Sequence, residues 1–230
     1  MNTSEILKRA EKLTSDEEKL KIIAGFIGDN FNDLEAKDFI SLLSPLVDVT
    51  SRLYKQNPNI DNLSDYTVAI TKLAENLIVD EQTWRAKPLL AEAMDLLQKM
   101  PETEVYYGWK FDTWNQIGEC HYINQRRQQA KQAFEKALYY AELAGKDTGD
   151  CNYRLKQLKN PMLKYDPVED SAKYLEVIDE VEKRLYEELK DEPRHMGFCF
   201  RYWAAKRDIL EEYGIHWRSP GIMNPHVHFD

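Results

Sequence analysis

The sequence predicts an all-α protein. Three observations carry that expectation. Apolar residues recur at helical spacing through most of the chain, capping residues stand where the periodic stretches begin and end, and no run keeps strand alternation beyond a few residues. The chain of 230 residues is long enough to bury a sizeable core. About nine or ten helices are expected.

The elements follow in order. The opening MNTSEILKRAEKL is amphipathic and charged. In SDEEKLKIIAGFI, Ser15 and Glu18 have capping-box spacing, and Leu20, Ile22, Ile23 and Phe26 follow at helical intervals. Asp33 is placed to cap LEAKDFISLL, which Pro45 interrupts or restarts, and residues 46–56 continue as helix up to Asn57-Pro58. DPVEDSAKYLEVIDEVEKRLYEELK reads as one helix with Asp166 as its cap, Pro167 at the first helical position and Glu169 three residues after the cap. Tyr174, Ile178, Val181, Leu185 and Leu189 form its apolar face. A last helix over about residues 196–213 stops at Gly214, which suits a left-handed cap. Pro220, Gly221 and Pro225 argue against helix for most of residues 215–230.

The middle of the chain repeats itself. Trp114, Ile117, Gly118 and His121 are spaced W-x2-I-G-x2-H, and Ala130, Phe134 and Ala137 follow as A-x3-F-x2-A. Gly118 and Ala130 are small where two helices of a hairpin would cross, so the backbones can approach, while Trp114, Ile117 and Phe134 fill the space beside the crossing. This pattern resembles a tetratricopeptide repeat over residues 111–144, with His121 in place of the usual Tyr and Glu142 in place of the closing Pro. A weaker copy occupies residues 67–100, with Ile70, Leu73, Ala74 and Leu77, then Ala86, Leu90 and Ala93. The offset between copies is 44, against about 34 in the family. The extra residues include PETEVYYGW, where Thr103 is placed to cap a helix lengthened toward its N-terminus. Cys151, Asn152 and Leu155 begin a third copy that Asn160-Pro161 ends early.

The resemblance implies a right-handed α-solenoid of stacked helical hairpins with an extended C-terminal tail. The implied organisation is N-terminal helices over 1–66, either degenerate repeats or unrelated cover, repeats over 67–160, a helical pair over 161–214 and a non-helical docked tail over 215–230. Such stacks use a concave surface for binding. Carried onto this register, the family's concave face comprises Asp112, Asn115, Glu119, Tyr122 and Ile123 in the better copy, and Val68, Thr71, Glu75, Ile78 and Val79 in the weaker one. The implied function is a non-enzymatic module binding a protein or peptide. The basic clamp with which some relatives hold a peptide carboxylate is missing, because Asp112 and Glu119 are acidic; they would favour a segment carrying Lys or Arg. Tyr107, Phe111 and Trp114 of YYGWKFDTW share one stripe with Gly118, whereas Tyr106 and Trp109 belong to a second, which packs on the preceding repeat or lines a groove.

A second class of reading is a helical metal- or ligand-binding protein or enzyme. Cys120 beside His121 has the composition of a nucleophile and its base, but adjacent residues on a helix point about 100 degrees apart, and a buried Cys is commonly a small apolar filler. In the tail, His226, His228 and Asp230 are spaced HxHxD, with His216 nearby, a pattern open to packing, to partner or ligand contact, or to metal binding. The apolar tail residues Ile215, Trp217, Ile222, Met223, Val227 and Phe229 favour packing, whether the tail caps the stack or fills its groove. Asp179, Glu180, Glu182, Glu187 and Glu188 read as a solvated acidic face or as ligands. No nucleotide, hydrolase or zinc-protease fingerprint is present, so no cofactor, metal or catalytic residue is assigned.

Charge and cysteine content narrow the partners. A formal charge of −9 argues against nucleic acid or an anionic membrane surface. Three well-separated cysteines suit neither a disulfide framework nor a zinc site. With no apolar leader in the N-terminal stretch, the expected compartment is the cytoplasm; the sequence does not specify an oligomeric state.

Overall fold

The computed structural model describes residues 2–159 and 161–229, and among them it is all helical, with no strand. The helices are α1 (Thr3–Glu11), α2 (Asp16–Asp29), α3 (Ala36–Gln56), α4 (Ile60–Val79), α5 (Thr83–Leu97), α6 (Glu104–Ile123), α7 (Arg127–Ala144), α8 (Gly149–Lys159), α9 (Ala172–Leu189), α10 (Phe198–Glu212) and α11 (Pro220–Met223). From α1 to α8 each helix packs on the next one in the chain, α4 also touches α6, and α9 packs on α10 and α5. None of these helices is long and apolar enough to cross a membrane.

Three boundaries differ from the sequence expectation. First, α3 runs unbroken through Pro45, and its cap is Glu35, not Asp33. An interior proline costs about 3 kcal/mol. Here Leu42, Leu43, Leu46, Val49 and Leu53 bury a continuous stripe, and that packing outweighs one lost hydrogen bond. Second, Asp166 and Pro167 open only a 3-10 turn, Pro167–Asp170, and Ser171 caps α9 by accepting from the Tyr174 N–H. Both are sound caps; the competing cap nearer the apolar face starts the helix. Third, the tail contains the single turn α11, with Pro220 at its first position and Ser219 as cap. Proline is favoured there because the first N–H has no helical partner.

The two copies repeat at backbone level with the offset of 44. Helices α4 and α6 each start seven residues ahead of the repeat boundary, with Asn59 and Thr103 at the N-cap; the Asn59 side chain accepts from the Asn62 N–H, whereas Thr103 makes no side-chain capping bond. The turns match as well. Glu81 and Gln125 are left-handed with φ of 60° and 59°. The Gln82 N–H donates to the Leu77 carbonyl (2.7 Å), as the Arg126 N–H does to that of His121 (2.8 Å). In the cores, Ala86, Leu90 and Ala93 are fully buried, and so are Ala130, Phe134 and Ala137. A methyl on Gly118 would lie 2.5 Å from the Phe134 ring, so glycine at this crossing is a steric requirement.

Helix α9 runs across the turns of both hairpins. The Tyr186 hydroxyl donates to Asp80 (2.8 Å) in the first turn, and the Asn124 amide of the second donates to Asp179 (3.3 Å). Asp80 and Asn124 are equivalent positions, and Asp179 and Tyr186 are two helical turns apart. Two turns rise about 10.5 Å, close to the 8–10 Å at which packed helices sit. Spacing along one helix therefore matches spacing between hairpins. Lys87 and Arg126 also pair with Asp179.

Candidate groove between two hairpins

Equivalent faces of α4 and α6 bound an open groove of about 500 Å³. Val68, Thr71, Lys72, Glu75, Ile78 and Val79 line one wall, and Trp109, Asp112, Asn115, Gln116 and Glu119 the other. Spacings of three and four place each set on one side of its helix. Thr71, Glu75, Ile78, Asp112, Asn115 and Glu119 are thus brought together where the sequence places them. Tyr122 and Ile123 are not. Tyr122 turns to the α7–α8 side, under the Arg154 guanidinium at 4.6 Å, and Ile123 is exposed at the end of α6. Trp109 lines the groove and also packs, with Tyr106, against the preceding hairpin.

The free negative charge expected of this face is absent. Lys146 binds Asp112 at 2.7 Å, and Arg154 binds both oxygens of Glu119, at 2.7 and 3.0 Å. Lys72 pairs with Glu75 at 2.7 Å. The groove offers instead an apolar edge and amides. Val79 is 68% exposed and Val68 41%, large values for aliphatic side chains. Gln116 Oε1 is buried without a hydrogen-bond partner among the described residues.

Cys120 and His121 are packing residues in this arrangement. Cys120 is fully buried in the core shared with the first hairpin, and desolvation pushes its thiol up to about 12. Burial, then the charges of Lys87 and Arg126, hold His121 down to about 4, and its Nδ1 has no hydrogen-bond partner among the described residues. A buried, protonated thiol does not make a nucleophile.

The tail is docked on the C-terminal helices. Ile215 and Trp217 are buried, the indole N–H donates to Glu169 (2.8 Å), Arg218 pairs with Asp166, and Asn224 holds both the N–H and the carbonyl of Lys164. Phe229 packs edge-on against Trp203, whereas Ile222 and Val227, expected to pack, are exposed. Among the described residues, none of the tail lines the groove. His216 contacts Glu211, His226 and His228 are exposed, and Asp230 lies outside the described residues. Among the described residues no cluster of three or more His, Cys, Asp or Glu is placed to hold a metal. The acidic run on α9 is committed internally: Asp179 to Lys87 and Arg126, Glu180 to Lys183, Glu182 to Lys206, Glu187 to Lys190 and Glu188 to Arg201.

No family model, no curated protein and no solved structure matches this chain.

Proposed function

We propose that the chain is a non-enzymatic interaction module of tetratricopeptide type, a right-handed solenoid of hairpins whose α4–α6 groove takes an extended segment of a partner protein. The observation that supports this most is the groove itself. Two hairpins in the same register bring Thr71, Glu75 and Ile78 together with Asp112, Asn115 and Glu119 around one open cleft. An extended peptide carries apolar side chains that suit Val68, Val79 and Trp109 along the groove. Because Asp112 and Glu119 are already paired, the favoured segment is apolar with few charges rather than strongly basic.

The test is capture of partners from the source organism by the intact chain, repeated with Val79→Glu and Asn115→Arg. Both positions face the groove, and Val79 is exposed, so the fold should survive. The proposal requires a protein that the native chain retains and both folded variants lose. Equal retention by all three would exclude the groove as the binding surface.

A further inference from the structure

The internal repeat supplies a reference for a second site. In the first hairpin the Tyr66 hydroxyl of α4 donates to Glu92 of α5, so donor and acceptor satisfy each other. The equivalent positions in the second hairpin are Lys110 of α6 and Lys136 of α7. Two cations therefore stand where the first hairpin has a matched pair. Both line a cavity of about 520 Å³ together with Gln98, Gln132, Tyr139 and Tyr140. Lys110 is only 7% exposed, and its ammonium lies 5.6 Å from the ring centroids of Tyr107 and Tyr140. The Lys136 ammonium sits 4.1 Å over the Trp114 ring. Neither is in an ion pair among the described residues, and Glu135, which also lines the cavity, faces Lys131 at 3.9 Å. Cation–π contacts offset only part of the cost of removing an ammonium from water. In a chain of formal charge −9, this is a local inversion of sign.

We propose that this cavity binds an aromatic phosphate monoester. Two ammonium groups match a phosphate monoester, which carries a charge of about −1.5 to −2 at neutral pH. Lysine serves phosphate well as a point charge. Tyr139, 60% exposed, offers a ring to an aromatic substituent, and the amides of Gln98 and Gln132 can donate to phosphate oxygens. The volume lies in the small-ligand range of roughly 300–1,000 Å³. The site shares no lining residue with the α4–α6 groove, so it stands independently of the function proposed above.

Isothermal titration of the intact protein with phenyl phosphate tests this, with phenol and inorganic phosphate as comparators. Phenyl phosphate should bind at least about tenfold more tightly than either. The double variant Lys110→Tyr with Lys136→Glu installs the first hairpin's pair and should lose binding by at least about tenfold, while its melting temperature holds or rises. The single change Lys136→Gln, at an exposed position, gives the same readout if the double variant fails to fold. A nucleoside monophosphate and a phosphotyrosine peptide then distinguish a free ligand from a protein-borne one, and tighter binding of either supports the site. No binding of any phosphate ester, or undiminished binding by the folded variants, overturns it.

Discussion

Replacing Gly118 with Ala puts a methyl 2.5 Å from Cε1, 2.6 Å from Cδ1 and 2.8 Å from Cζ of Phe134. Phe134 is fully buried with Ala130 and Ala137 in the core of the second hairpin, so its ring cannot move without displacing neighbours. Overpacking of this kind costs about 1–3 kcal/mol. Alanine in a helix interior returns about 0.5–1 kcal/mol relative to glycine. The net expectation is destabilisation of about 1–2 kcal/mol. Gly25, inside α2, is the control, because nothing lies within 4 Å of its added methyl. Gly25→Ala should stabilise by about 0.5–1 kcal/mol. The first hairpin shows the compensating pair, with Ala74 opposite Leu90 at the equivalent positions. Phe134→Leu alone should cost on the order of 1 kcal/mol through lost contacts. Combined with Gly118→Ala, it should be less destabilising than the sum of the two by about 1 kcal/mol, since the new methyl fills the space the ring vacates. Urea unfolding with an unchanged m-value measures all four variants. A stabilising Gly118→Ala together with an additive double variant would refute the crossing geometry.

Further outcomes follow from the same contacts. His121 is held down to about 4 in the fold against about 6.5 when unfolded, so the unfolded chain binds more protons between those values and stability falls as pH drops from 6.5 toward 4, by on the order of 3 kcal/mol. His121→Leu, matching Leu77 of the first hairpin, should remove most of that decline in thermal melts; an unchanged decline would mean that His121 is not its source. At neutral pH a thiol reagent should modify Cys199 first, because Cys120 and Cys151 are buried; rapid stoichiometric labelling of Cys120 would contradict its packing role. Glu182→Gln leaves the buried Lys206 ammonium without its carboxylate and should cost about 3–5 kcal/mol by denaturant titration, whereas a change under 1 kcal/mol would show that the pair is solvated. Trp217→Ala should cost about 3–5 kcal/mol and increase amide exchange across residues 215–224; unchanged exchange there would mean that the tail is held elsewhere.

The hairpins were legible because their crossing demands small residues at fixed spacing. Gly118, Ala130 and Ala137 recorded that demand directly, as did Ala74, Ala86 and Ala93. The capping of α9 was ambiguous for a physical reason: Asp166 and Ser171 are both competent caps, and only packing of the Tyr174 face selects the second. Pro45 misled for a similar reason, since local propensity points to a break and the buried stripe of α3 overrides it. The charge of the groove was not legible from its own helices. Lys146 and Arg154, which neutralise Asp112 and Glu119, come from 34 and 35 residues downstream. The paired lysines at 110 and 136 had a signal in the sequence. Aligning the two copies position by position sets Lys110 against Tyr66 and Lys136 against Glu92, a loss of complementarity that periodicity alone does not register.

Site-specific photo-crosslinking in the source organism tests whether the α4–α6 groove holds a partner protein. A photoreactive residue at Asn115 lies in the α4–α6 groove, and one at Tyr153 lies on the exposed face of α8. A groove that holds a partner segment gives a discrete protein adduct from position 115, absent at position 153 and lost when Val79→Glu is added. Adducts from position 153 alone, or from position 115 undiminished by Val79→Glu, would contradict it.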